Sequence, residues 1–398
     1  MSRVKTAGWR AVAVLSVLSV LLAACGSEKK KATTGATQGT GSTGGITIGF
    51  VGALTGDNAN LGINGRDGVR VAIAEENAKG GTQVSLKEFD TGGDAAQAST
   101  IKDRFIGDKS VVGIVGPMFS GETKALIPSL QDAGLVMISP SATNKDLPNV
   151  VPNGTVFHRI IADDALQANG IVAYLTGLNP RPSRVAYIND NSDYGKGLAD
   201  GVEKAATAKG LTKALSATVD PKAQDFSATV NAIKGANPSH IFYGGYYAEA
   251  GRLKKQLTDA GVAAQFVSGD GSLDPGFISA AGPAAAEGAR LTCPCNLALP
   301  SSTGALKDFY DRYKAQIGKE PGLYSPEGYD AATILIQGIK AGNTDRAKLL
   351  QYVETFGHFD GVSKPIEFEP NGNLKSKVFF VFQVKDGRIA PLEQIQVT

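Results

Sequence analysis

Residues 46–51 read Ile46-Thr47-Ile48-Gly49-Phe50-Val51 and residues 84–89 read Val84-Ser85-Leu86-Lys87-Glu88-Phe89, with the segment Leu61–Lys79 between them. The first run is rich in β-branched residues and ends at the turn Thr55-Gly56-Asp57, as a strand does on entering a turn. The middle segment places Val69, Ala72 and Ile73 on one helical face and stops at Gly80-Gly81. The last run alternates apolar and polar residues, the pattern of a half-buried strand. Strand, amphipathic helix and strand in that order make a crossover unit, and such units build parallel sheets. The fold class is therefore α/β.

The alternation continues outward. Asp94 is placed to cap a helix carrying Ile101, Phe105 and Ile106, Val111–Val115 is a short apolar strand, Glu122–Ala133 a helix and Leu135–Ser139 a buried strand. It restarts after Phe157, with helices expected at Ala165–Leu178, Tyr194–Lys209, Phe226–Lys234 and Ala248–Ala260. The strands between them are Arg184–Asn189, Leu211–Val219, His240–Tyr243 and Gln265–Ser268. Roughly 350 ordered residues exceed what one core usually holds, so two domains are expected. Beyond residue 292 come helices near Ala305–Gln316 and Glu327–Ala341, then strands at Pro365–Phe368 and Val378–Val384. That tail is too poor in strands for a third sheet, and the expectation is that it returns to complete the first two lobes.

The N-terminus bears on location. Arg3, Lys5 and Arg10 precede an apolar run, Ala11 to Leu22, which is too short to span ~30 Å of hydrocarbon as a helix. Residues 1–24 thus read as a signal peptide. Ala23 and Ala24 followed by Cys25 resemble a bacterial lipobox, in which Cys25 would be lipidated and become the new N-terminus. An ordinary secretory signal with an incidental cysteine is the alternative. Residues 25–45 would be the lipidated cysteine and a Gly/Ser-type linker with an r.m.s. reach of about 25 Å. No later segment is long and apolar enough to span a bilayer. The chain carries 40 Lys and Arg against 38 Asp and Glu, and the three basic residues above precede Cys25, leaving 37 against 38 afterwards. With no basic excess, nucleic acid is not an expected partner.

In a doubly wound sheet ligands bind beyond the carboxyl ends of the strands. In the first half those ends carry Phe119-Ser120-Gly121 and Ser139-Pro140-Ser141-Ala142-Thr143, small hydroxyls and helix-start N–H groups that suit an anion. In the second half they carry Asn189–Tyr194, Gly244-Gly245-Tyr246-Tyr247 and Gly269-Asp270-Gly271, tyrosines and a carboxylate that suit a cation beside an apolar body. Facing each other, the two sets would suit a zwitterion such as an amino acid.

Several blocks resemble the leucine/isoleucine/valine-binding proteins, the type I solute receptors of branched-chain amino acid ABC importers. They are Gly52-Ala53-Leu54-Thr55-Gly56, Glu76-Asn77-Ala78-Lys79-Gly80-Gly81, Met137 to Asn144, Tyr194-Gly195-Lys196-Gly197, Tyr243 to Tyr247 and Ala286-Glu287-Gly288. The resemblance runs in order from about residue 46 to about residue 385. It implies a type I periplasmic binding protein: two Rossmann-like doubly wound lobes on a three-segment hinge, closing on the ligand. Residues 46–162 and 294–372 would form one lobe, and residues 163–293 and 373–398 the other. It further implies an extracytoplasmic monomer that uses no cofactor and delivers a branched-chain or other small apolar amino acid to a membrane permease, and Cys25 would tether it to the membrane.

Residue by residue, the resemblance implies that Ser120 holds the ligand carboxylate, with Ser141, Ala142 and Thr143 contributing backbone groups and the Thr143 hydroxyl. Tyr194 and Tyr246 would close over the ligand from the opposite lobe. Asp270 falls where the family carries a glutamate that pairs with the α-ammonium. Leu61 stands where familiar relatives have an aromatic residue, and Met118 and Phe119 would line the side-chain pocket. Plainer roles exist for each: a helix cap for Ser120, packing for Tyr194, a turn for Asp270, core for Leu61. Tyr246 and Tyr247 alternate sides, so only one, taken as Tyr246, should face the ligand.

The cysteines of the family's usual lobe disulfide are missing, with Gly93 and Phe119 near those positions. Cys293 and Cys295 are the only other cysteines besides Cys25, and an exported compartment favours their oxidation to a tight ring at a crossover. A metal needs more ligands than two thiolates, so none is expected there. His158, His240 and His358 are scattered, and no Gly-x-Ser-x-Gly elbow, His-Glu-x-x-His or phosphate-binding loop is present, which argues against an enzyme. The rival readings are receptors on the same fold for an amide or aromatic acid, or for a sensor system.

Overall fold

The computed structural model describes residues 45–397. The signal peptide, Cys25 and the linker up to residue 44 lie outside the described residues. The chain runs β1 (Ile46–Gly52), α1 (Ala59–Ala78), β2 (Val84–Asp90), α2 (Ala95–Ile106), β3 (Val111–Val115), α3 (Ser120–Asp132), β4 (Val136–Ser139) and β5 (Phe157–Arg159). It continues through α4 (Asp164–Gly177), β6 (Arg184–Asn189), α5 (Asp193–Ala208), β7 (Thr212–Thr218), α6 (Ser227–Ala236), β8 (His240–Gly244), α7 (Tyr247–Asp259) and β9 (Gln265–Ser268). Next come α8 (Pro275–Ala281), α9 (Pro283–Ala286), β10 (Arg290–Cys293), α10 (Gly304–Ile317), α11 (Ser325–Lys340) and α12 (Arg346–Glu354). The last strands are β11 (His358–Asp360), β12 (Pro365–Glu367), β13 (Val378–Lys385) and β14 (Arg388–Gln396).

The α/β expectation holds. Five parallel strands make one sheet in the order β2-β1-β3-β4-β5. Seven make another, β14-β13-β10-β9-β8-β6-β7, parallel from β10 to β7 and antiparallel at β13 and β14. Helices cover the sheets, so strands such as β3 and β4 are buried along their whole length. Helix starts follow local chemistry: Asp94, as expected, accepts from the Gln97 N–H at the head of α2, and Asp163 accepts from Ala165 and Leu166 at the head of α4.

The chain beyond β10 serves both sheets. Helix α11 lies along α1, and α12 packs on β3 and β4. The Arg346 guanidinium of α12 donates to the carbonyls of Val111, Phe105, Ile106 and Asp108, pinning that helix to the first sheet. Strands β13 and β14 instead extend the second sheet. One expectation is corrected: the tail does make a third sheet, the two-stranded antiparallel pair β11–β12. Three-residue strands are too short for alternation to reveal, which is why β11 and β5 escape notice. β14 escapes for another reason, being a largely exposed edge strand interrupted by Pro391. Among the described residues no helix is long and apolar enough to cross a membrane.

Candidate functional site

A narrow, nearly closed cavity of about 10 Å³ lies where strand ends of the two sheets meet. Leu61, Met118, Phe119, Ser120 and Ser141 line it from the first sheet's side, and Tyr194, Tyr246 and Asp270 from the second's. Eight of the ten residues singled out from sequence thus come together. Gly271 and Tyr324 also line the cavity. Ala142 and Thr143 do not: both are fully buried behind the lining, and the Ala142 N–H donates to Ser139 Oγ at 3.0 Å.

The first wall is a loop held by its own polar groups. Ser139, the last residue of β4, donates through its hydroxyl to the Pro117 carbonyl at 2.7 Å, and Ser141 Oγ donates to the Met118 carbonyl at 2.6 Å. From behind, the buried Arg159 guanidinium donates to the Ala142 and Asn144 carbonyls at 3.1 and 2.8 Å. Those carbonyls, turned onto Arg159, pin the loop from behind. Ser120 Oγ accepts from the Asn144 N–H at 3.2 Å, which leaves the hydroxyl proton free to donate elsewhere. Ser120 opens α3, whose first-turn N–H groups have no intrahelical acceptor and favour negative charge. This wall offers donors.

The second wall offers a carboxylate. Asp270 Oδ1 accepts from the Tyr194 hydroxyl at 2.7 Å and from Gln167 Nε2 at 2.8 Å, and Oδ2 accepts from the Tyr324 hydroxyl at 2.6 Å. All three donors are neutral. Burial raises the Asp270 carboxyl above the usual carboxylate range, although the tyrosine and Gln167 hydrogen bonds pull the other way. The Tyr194 oxygen also accepts from the Gly271 N–H at 2.9 Å, so one phenol fixes both the carboxylate and the turn that carries it. Glycine is needed there, because a Cβ on residue 271 would sit 2.7 Å from the Tyr194 ring and 2.9 Å from the Gly245 carbonyl oxygen.

Aromatic rings fill the space between the walls. Phe119 and Tyr246 stack with centroids 4.5 Å apart, and Tyr246 meets Tyr194 at 5.2 Å. Phe119 is seated by Gly93, which has φ +79° and whose Cβ, if present, would meet the Phe119 ring at 2.8 Å. Tyr247 turns away, as the alternation predicts, and its hydroxyl accepts from the Asn60 N–H at 3.3 Å. Around the rim, Asn60 Nδ2 donates to Asp274 at 2.9 Å, Asn144 Nδ2 to the Asp193 carbonyl at 2.6 Å, and Lys124 pairs with Asp193 at 2.6 Å. These contacts hold the two walls together.

Sequence reasoning missed Tyr324, Gln167 and Asp164. Tyr324 precedes α11 with φ +67°, a left-handed conformation that costs a non-glycine residue about 1 kcal/mol or more. It lies far along the chain from any strand end, so nothing local signals that its hydroxyl reaches Asp270. Gln167 and Asp164 stand at i, i+3 on α4, a pattern without a recognised chemical meaning until the fold brings Asp270 beside them. Cys293 and Cys295 are joined in a disulfide at the end of β10. Among the described residues no group of three or more His, Cys, Asp and Glu is placed to hold a metal.

Comparison with known proteins supplies the family. The profile of the family described as Periplasmic binding protein matches residues 45–388. The Leu/Ile/Val-binding protein homolog 3 of Brucella melitensis is 32% identical over 362 residues, covering 87% of this chain and 94% of that protein. Among solved structures, the leucine binding protein LivK of Thermotoga maritima superposes with a TM-score of 0.81 at 27% identity, covering 88% of this chain and 99% of that one. LivJ of Streptococcus pneumoniae, a branched-chain amino acid transporter substrate binding protein in complex with isoleucine, gives 0.80 at 25% identity, with the same coverages of 88% and 99%. Together with one parallel and one largely parallel sheet and a cavity at their strand ends, these matches place the chain in the periplasmic binding protein family of solute-binding proteins, alongside the Leu/Ile/Val-binding proteins.

Proposed function

We propose that this protein is the solute receptor of an ABC importer and captures an amino acid with a small apolar side chain in the cavity between its two walls. One observation carries the reading: Asp270 and the free Ser120 hydroxyl line the same cavity, with Leu61, Met118 and Phe119 beside them. An α-ammonium would meet Asp270 and an α-carboxylate would meet Ser120 and the N–H groups that open α3. The apolar trio would take the side chain. The isoleucine in the streptococcal LivJ structure supports that ligand class. Binding and hinge closure are the whole task, so no enzymatic step is assigned.

The lobes would be residues 46–162 with 294–372 and residues 163–293 with 373–398, rocking about three crossovers. The Cys293–Cys295 ring falls at one of them and would stiffen it. Two free thiols found by alkylation and mass spectrometry of native exported protein would refute that role. Cys25 would carry the lipid that tethers a monomeric receptor at the extracytoplasmic face of the membrane, next to its permease partner. A Cys25→Ser form that still fractionates with membranes would refute the anchor.

The ligand claim is tested by isothermal titration of the mature protein with a panel of amino acids, amides and aromatic acids. Saturable binding of leucine, isoleucine or valine is expected. Binding of an amide or aromatic acid with no response to any amino acid would refute the reading and favour a receptor of the same fold for that class.

A further inference from the structure

Asp164 does not line the cavity, yet one side chain ties it to the residue that does. Gln167 Nε2 donates to Asp164 Oδ1 at 3.1 Å and to Asp270 Oδ1 at 2.8 Å, one N–H for each carboxylate. All three side chains are buried. Asp164 Oδ2 and Gln167 Oε1 are buried without a hydrogen-bond partner. The cluster therefore holds more acceptors than protons, an arrangement that burial makes costly.

The surrounding groups relieve it only in part: the Thr143 hydroxyl and the Arg159 charge pull Asp164 down, by less than burial and Asp270 push it up. Asp163, beside Asp164 at the head of α4, takes the Ala165 and Leu166 N–H groups for itself. Arg159 on β5 stands 3.6 Å from Asp163, with its Nε and Nη1 engaged by Asn373 and by the Ala142 and Asn144 carbonyls. Tyr194 from α5, Tyr246 ahead of α7 and Tyr324 ahead of α11 face Asp270 as neutral phenols, because burial holds all three well above the usual tyrosine value. Two carboxylates on one amide nitrogen in such a site cannot both stay ionised. Burial, and then the charge of Asp270, accordingly push Asp164 well above the carboxylate range.

We propose that Asp164, Gln167 and Asp270 form one proton-sharing acidic unit, which holds a proton until an α-ammonium enters and then releases it to solvent. One carboxyl O–H bond breaks, the proton leaves to the buffer, and the ammonium brings the positive charge that replaces it. The net charge of the site is unchanged by the exchange. Asp164 and Gln167 are thus positioning residues that act through Asp270. The proposal rests on the amino-acid reading above.

The test is calorimetric titration of the mature protein with L-leucine at pH 7, in phosphate and in Tris, whose ionisation enthalpies differ. Apparent enthalpies differing by an amount that corresponds to release of about one proton per leucine are expected. Asp164→Asn should keep leucine binding and lose most of that buffer dependence, which a merely structural role would leave in place. Equal enthalpies in the two buffers, with leucine bound by the wild type, overturn the proposal. A readout free of any variant is the affinity from pH 5 to pH 8. Because the bound form has shed the proton, leucine affinity should rise with pH, by up to about tenfold per unit, until the free unit is ionised. A flat profile also overturns it. Failure of leucine, isoleucine and valine to bind at all would remove the amino-acid reading and this proposal together, whereas binding without proton exchange removes the proposal alone.

Discussion

Helix α3 follows β3 and begins behind Phe119; helix α7 follows β8 and begins behind Tyr246. In both, the glutamate three residues on reaches back to the aromatic residue's N–H: Glu122 Oε2 accepts from Phe119 at 3.0 Å, and Glu249 Oε1 accepts from Tyr246 at 2.8 Å. Both glutamates are buried, and burial raises them, Glu122 to about 7 and Glu249, with Asp190 adding its charge, to about 8. The two rings then stack across the cavity. The frame is the same on both sides, and the chemistry hung on it is opposite. The first wall adds the Ser120 hydroxyl and the N–H groups that open α3, while the second adds the Asp270 carboxylate in a ring of phenols. The contrast lies in what each wall sets beside the shared helix start.

The largest effect expected falls on the frame itself. Glu122 titrates near 4.5 when unfolded and near 7 when folded, so between those values the unfolded chain ionises while the folded one stays protonated. The glutamate therefore costs nothing below pH 4.5 and progressively more up to pH 7, reaching roughly 3 kcal/mol. Glu122→Gln should leave the urea midpoint unchanged at low pH and raise it at pH 8, and Glu249→Gln should behave alike if the frames are equivalent. A stability gain at Glu122 that does not depend on pH would break the comparison.

Smaller effects separate the walls. Tyr194→Phe takes a donor from Asp270 and the acceptor from the Gly271 N–H, two buried groups at once, and should weaken leucine by about 30-fold, or about 2 kcal/mol. Ser120→Ala removes one hydroxyl donor and leaves the helix-start N–H groups, so a loss nearer tenfold is expected by the same titration. A larger loss at Ser120 than at Tyr194 would reverse the ranking of the walls. Smallest is the stack: a double-mutant cycle of Phe119→Leu and Tyr246→Leu should give a coupling of about 0.5–1.5 kcal/mol in stability, and zero coupling would show that the rings merely adjoin.

What the chain reveals before folding follows a physical division. Strands β3, β6 and β9 are legible to the residue, because an apolar or β-branched run bounded by turn residues is a local signal. The cavity residues at strand ends are legible too, since topology alone sends them to one place. Tyr324 is not, because its approach to Asp270 depends on where α11 packs, 54 residues further along the chain. Asp164 is hidden in plainer fashion: an acid at a helix start reads as a cap, and here Asp163 already fills that role. β5 and β11 are too short to show a period, and β14 gives no buried face to read.

The opposed walls make one claim that a single comparison can decide. Leucine and 4-methylpentanoate share a carbon chain and a carboxylate, and only leucine has the ammonium. Titrating both into the wild type and into Asp270→Ala isolates the second wall. The account predicts that the substitution weakens leucine by about 100-fold or more, as loss of a buried charge partner should, and changes 4-methylpentanoate by less than about threefold. Equal losses for the two ligands would contradict it.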